Sequence, residues 1–441
     1  MSEVLESLFR CRPVKAFAKQ FKELEKEWGE PAEFVGQAAE YLGPRLYQPF
    51  YDEDTPHSLF GLGAAVEAAP LFPQDREWWP FVQQAWHAAN ERRRHPLPWA
   101  GITAAGSGSL DERWRACEEA LDAGSFEAAF GLARGLLEQD SDQLGSRLLQ
   151  RSLYDSGQGG LGFLFVTQYL ELAARLEGDS ALGILAAIIH LMAYGPRECE
   201  LATAAAQFGG QEGRLAASGE LDETAYHTLE QEILFGDALP DALQAAADAL
   251  SAVGLEAYWD GLLLAGINAV CNARAGHWTR PARAFLLSYL CRRRFASADP
   301  PPQRKAALYA AALTHQAAIR SRYSKVNRDL EEVARELCPM DPFNTLRSLV
   351  SHSDPFASAT AVYAILGMGV EKHQELYQSL ATLAAKNDGR MGRGYDLLVV
   401  KAAVDSYQKS KLHNRDRFLS GCAFFLGRLP KDYQLLGAYG V

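Results

Sequence analysis

The sequence predicts an all-α protein: a single large multi-helix domain over residues 1–441, with roughly twenty helices around an internal cavity. Three observations predict it. Apolar residues recur at helical spacing almost everywhere, stop signals come at helical lengths, and alternating runs of β-branched residues are nearly absent. The chain is 48% hydrophobic and 22% charged, which is enough to fill a large core and too apolar for a disordered chain.

The elements follow in order. The first thirty residues carry acids at Glu3 and Glu6 and no basic stretch leading into an apolar core, so they do not read as a secretory signal. Val14 to Trp28 places Phe17, Phe21 and Leu24 on one stripe between lysines and glutamates. Residues 242–252, 307–319 and 360–366 are rich in alanine and leucine, the composition helices prefer. Gly43-Pro44, Gly195-Pro196, the prolines at 300–302, Gly427 and Pro430 read as stops. Residues 96–109 (PLPWAGITAAGSGS) are the clearest irregular stretch, either a linker or an ordered loop over a pocket. A tetratricopeptide-like fragment at 124–140 does not recur at the required period, which argues against a repeat solenoid.

Charge and composition exclude several function classes. A net charge of −11 argues against a nucleic-acid partner. The longest near-continuous apolar run, 181–195, is too short to span a bilayer comfortably, so no membrane partner is expected. Seven dispersed cysteines without a CxxC pair read as reduced thiols in a cytoplasmic protein. Arg92-Arg93-Arg94 and Arg292-Arg293-Arg294 each end a predicted helix, where cations complement the macrodipole, and this reading is preferred to a phosphate site.

Common catalytic motifs are missing: there is no HExxH, no GxSxG and no phosphate-binding P-loop. Gly157 to Gly162 (GQGGLG) has the letters of a dinucleotide fingerprint, but no strand precedes it. It reads as a flexible turn, which leaves no credible flavin or NAD motif. The paired ExxH of dimetal bundles and the aspartate-rich helix of terpene cyclases are also absent.

The ten histidines therefore carry the remaining information. His57 follows Thr55-Pro56, a good N-cap and first-turn pair, so the positive helix end favours a neutral ring able to ligate a metal; the alternative is an exposed helix-start residue. His190 is the strongly polar side chain of ALGILAAIIHLMAYG, a helix apolar on every face, and is either a ligand or a hydrogen-bonded core histidine. His315 shares a stripe with Leu308, Ala311, Ala312 and Ile319, where the alanines either line a cavity or let helices approach closely. Lys401 has Leu397 and Leu398 one turn before it and Asp405 one turn after. It forms either a plain Lys–Asp pair or, if buried and neutral, a carbamate with carbon dioxide that offers two oxygen ligands. Trp78, Trp79, Trp86 and Trp99 either wall an aromatic cavity or fill an ordinary core.

The four segments TPHSLFGLGAAVEAA, AIIHLMAYGPREC, LTHQAAIRSRY and YDLLVVKAAVDSY, in this order, resemble successive motifs of the questin oxidase-like family. The resemblance runs from about His57 to Tyr407 and implies an all-α oxygenase of anthraquinone-like polyketides, of Baeyer–Villiger or ring-cleaving type, without bound flavin. It also implies Fe(II) held by His57, His190, His315 and a carboxylated Lys401, with a small aromatic substrate and dioxygen as partners. An electron-rich substrate would itself supply electrons to dioxygen. Two positions depart from the family pattern: Ala186 and Leu398 stand where it has further histidines, so either substitutes such as His87, His227 or Asp405 complete the site or the iron chemistry has been lost. No catalytic residue beyond these ligands is assigned. The alternatives are a non-catalytic helical binding or scaffold protein, and a cofactor-free cyclase or monooxygenase.

Overall fold

The computed structural model describes residues 2–45, 57–91, 97, 99–154, 157–195, 197, 199–209, 219, 221–322 and 341–439. Among them every regular element is helical. Two isolated bridges, Ala273 with Arg322 and Asn387 with Lys431, are the β pairing they contain. The fold is all-α, as the periodicity predicts. No helix among the described residues is long and apolar enough to cross a membrane. The chain divides into two compact units: Met1–Glu67, Glu77–Glu198 and Asp432–Val441 form the first, Ala68–Arg76 and Cys199–Lys431 the second.

The first unit contains α1 (Ser2–Arg10), α2 (Val14–Trp28), α3 (Pro31–Leu42), α4 (His57–Ala68), α5 (Trp79–Asn90), α6 (Leu110–Asp122), α7 (Phe126–Gln139), α8 (Ser141–Tyr154), α9 (Gly157–Ala173), α10 (Gly178–Tyr194) and the C-terminal helix Tyr433–Tyr439. The stripe read in α2 is its buried face. Phe21 is the hub, edge-on to Trp28, Phe34, Trp78 and Tyr439 at 5.4–6.1 Å. Such pairs add about 0.5–1.5 kcal/mol each beyond area burial. Trp78 and Trp86 are members of this aromatic core, and Trp99 packs on Phe130, so these three are packing residues.

Residues 99–109 are an ordered loop laid on α7. The Ala105 N–H donates to Gly131 O (2.9 Å), and Arg134 Nη1 donates to Ile102 O (2.9 Å). Ser109 and Glu112 close a capping box that starts α6. A Cβ at Gly135 would lie 2.4 Å from the Ala105 carbonyl oxygen, a backbone atom that cannot swing aside. Gly135→Ala is therefore expected to release the loop at a cost of about 1–3 kcal/mol, read as faster proteolytic nicking between residues 99 and 109 than in wild type.

Gly157 to Gly162 differs from its sequence reading. It opens helix α9 instead of forming a free turn, because the apolar run from Leu161 to Val166 is buried and carries the helix. Gly159 and Gly160 sit at φ +72° and +84°, which glycine adopts without a Cβ penalty. The preceding element among the described residues is helix α8, where a dinucleotide site needs a strand.

The second unit contains α11 (Cys199–Gly209), α12 (Glu223–Phe235), α13 (Leu239–Ala252), α14 (Leu255–Asn272), α15 (Thr279–Arg294), α16 (Pro300–Ser321), α17 (Pro342–Ser351), α18 (Pro355–Leu366), α19 (His373–Ala385), α20 (Tyr395–Lys409) and α21 (Asp416–Gly427). α14, α15 and α16 bury residues on nearly every side and form its centre. Pro300 begins α16 directly after Asp299: a proline lacks an N–H that the first turn could not have satisfied anyway, so the proline run is a start as well as a stop. Arg292 ends α15 paired with Glu256 (2.6 Å) and Asp260 (2.7 Å), a structural role. Arg92 to Arg94 lie outside the described residues.

Candidate functional site

His57 and His190 belong to the first unit, His315 and Lys401 to the second. His57 is the first residue of α4 and is 2% exposed, its ring edge-on to Phe165 at 5.1 Å; it is a buried helix-start histidine, not an exposed one. Thr55 and Pro56 lie outside the described residues. His190 is buried on α10, and its ring meets Phe126 and Tyr194 edge-on at 5.7 and 4.9 Å. Burial lowers its imidazolium from 6.5 to about 4, so the ring is neutral at neutral pH.

His315 has the most informative geometry. Its Nδ1 lies 3.2 Å from Glu232 O and 3.1 Å from Ile233 O, two carbonyls of the last turn of α12. Both are acceptors, so Nδ1 carries the hydrogen and the ring closes the C-terminus of α12. Nε2 then holds a lone pair. It is buried and has no hydrogen-bond partner among the described residues. Burial, foremost, depresses the pKa against the opposing pull of the two carbonyls.

Lys401 Nζ lies 2.6 Å from Asp405 Oδ1, while Tyr289 Oη donates to the other carboxylate oxygen at 2.7 Å. Tyr289 and Asp405 also line an open cleft of 260 Å³ with Arg292, Arg293, Ser406 and Lys409. This arrangement suits an ammonium group. A carbamate beside Asp405 would set two negative charges together unless the pair parted.

The substitutes divide as sharply. His87 is buried on α5, His227 is exposed on α12, and Asp405 is engaged as above. Ala186 and Leu398 are fully buried, so each helix position where the family pattern has a further histidine is filled by apolar packing. The fit to an iron site is therefore uneven. His315 offers a fixed and available imidazole nitrogen, yet among the described residues no group of three or more His, Cys, Asp or Glu is placed to hold a metal. No protein-family model, curated protein or solved structure matches this chain. The likeness to the questin oxidase-like proteins thus rests on the four sequence segments.

The buried thiols among the described residues are poor candidates for chemistry. Cys117, Cys291 and Cys422 are buried, and burial pushes Cys117 up to about 12, so its reactive thiolate is suppressed. The fold also brings together polar groups that local sequence patterns do not reveal. Tyr226 Oη donates to Glu230 Oε1 (2.8 Å), and Asn268 Nδ2 reaches the same oxygen (2.5 Å), all three buried between α12 and α14. Lys431 Nζ donates to Asn387 Oδ1 and to the carbonyls of Leu426 and Leu429, closing the end of α21; burial lowers its ammonium to about 8.

Proposed function

We propose that the chain is an oxidoreductase, a metal-dependent oxygenase acting in the cytoplasm on an aromatic polyketide of the anthraquinone or hydroquinone type. The observation that supports this reading is His315, with Nδ1–H committed to two carbonyls and a buried Nε2 lone pair free of hydrogen bonds among the described residues. Metal-ligating imidazoles are commonly ordered in this way, since the bond at one nitrogen fixes the tautomer and sharpens the basicity of the other. Bound Fe(II) would supply a redox centre for dioxygen. The residues hold His315 in one tautomer, keep the ring neutral by burial and exclude water from Nε2. The deciding measurement is the iron content of purified protein after anaerobic Fe(II) loading. About one equivalent of iron is expected, lost in His315→Ala with the helical circular dichroism unchanged. Protein that takes up no iron, or a variant that keeps it, overturns the reading.

A second reading, a non-catalytic helical binding or scaffold protein, is favoured by a different observation. His315 closes α12, His190 packs against two aromatic rings and Lys401 forms an ordinary pair with Asp405, so each has a structural task without any ligand. On that reading the loaded protein binds no iron, and His315→Ala alters stability alone.

A further inference from the structure

Arg304 extends the apolar stripe of α16 toward its N-terminus: Arg304, Leu308, Ala311 and His315 follow at i, i+4, i+7 and i+11. It is 6% exposed. Among the described residues neither its Nε nor its Nη1 meets an acceptor, and no acid pairs with it. The nearest acid in sequence, Asp299, is exposed at the N-cap and makes no capping bond. Tyr258 of α14, fully buried, donates to Ala307 O at 3.0 Å, which sets its ring against the second turn of α16. The Arg304 charge bears on that hydroxyl, opposing the upward push of burial on its pKa.

Two physical effects work against a bare guanidinium here. Removing the charge from water is costly unless an opposite charge compensates it. The group also lies one turn inside the N-terminus of a long helix, whose positive end disfavours a cation. An anion beside Arg304 relieves both. It would not be held by the helix end itself, because Pro300, Pro301 and Pro302 have no N–H to offer. The guanidinium must therefore make the contact, and its planar edges suit two coplanar oxygens.

We propose that Arg304 anchors a binding site for a small-molecule oxyanion, a carboxylate or a phosphate group, against the first turns of α16 beside Tyr258. The site does not depend on the oxygenase reading and stands if no iron is bound. The test is thermal unfolding of the full chain at constant ionic strength in three arms: chloride, inorganic phosphate and benzoate. Phosphate or benzoate should raise the transition temperature saturably by several degrees over chloride, with one equivalent bound by calorimetry, and the active arm identifies the group. In Arg304→Met the shift should vanish, and in chloride this variant should melt no lower than wild type, because an uncompensated buried charge has been removed. Arg304→Gln replaces it if the methionine variant does not fold. No saturable shift over chloride in the wild type overturns the site, as does a shift that persists in either folded variant.

Discussion

Asn268→Leu is expected to destabilise the protein by about 2–4 kcal/mol, since it takes a donor from a carboxylate that stays buried. Asn268 Nδ2 reaches Glu230 Oε1 at 2.5 Å and Tyr226 Oη at 3.3 Å. Burial, aided by the Glu230 charge, holds the Tyr226 hydroxyl well above its usual range, so Tyr226 remains a donor across the accessible pH range. Leucine fills the volume of asparagine but returns no hydrogen bond. Denaturant unfolding should show a lower midpoint at an unchanged slope. The double variant with Glu230→Leu should recover part of the loss, because removing both partners leaves fewer unsatisfied groups. A loss below about 0.5 kcal/mol would mean that the cluster contributes nothing to stability.

Acid is expected to weaken the fold through His190. Its folded pKa is depressed from 6.5 to about 4, so the unfolded chain binds a proton that the folded chain refuses between those values. The contribution is fully present above about pH 6.5 and is lost as pH falls toward 4. At full extent the loss is about 3 kcal/mol. His315, depressed in the same direction, adds to it. Stability measured between pH 7 and 4.5 should therefore fall steeply in wild type and less steeply in His190→Phe. Parallel profiles would show that the ring near Phe126 and Tyr194 is already hydrated and free to take up the proton.

Much of this architecture is legible in the sequence, because helices announce themselves through local spacing. Val14 to Trp28 is a helix with Phe17, Phe21 and Leu24 on its buried face, as read. The alanine- and leucine-rich stretches fall within α13, α16 and α18. The glycines at 157–162 were harder to read, since the helix there is carried by the apolar residues after them and not by the glycines themselves. The irregular stretch before α6 left linker and loop open, because the choice is made about thirty residues away, by glycines of α7 that admit its backbone. Site chemistry is the least legible. The stripe through His315 is readable and the same spacing places Arg304 on it, one turn upstream of Leu308, but whether that guanidinium finds a partner is decided by the helices packed around α16. Which carbonyls His315 meets depends on the packing of α12 on α16, and no pattern within either segment encodes it.

The single amide that ties residue 105 to α7 has a kinetic meaning as well. The chain between Ala105 and Gly131 is α6 and the first turn of α7, so the bond from the Ala105 N–H to Gly131 O requires α6 to fold back on the start of α7. That contact is expected to form late in folding and to open early. Its hydrogen exchange should report the sub-global release of this surface strap, faster than the amides within α7 and independent of global unfolding. A segment without regular structure would thus act as a clock for the helical hairpin beneath it.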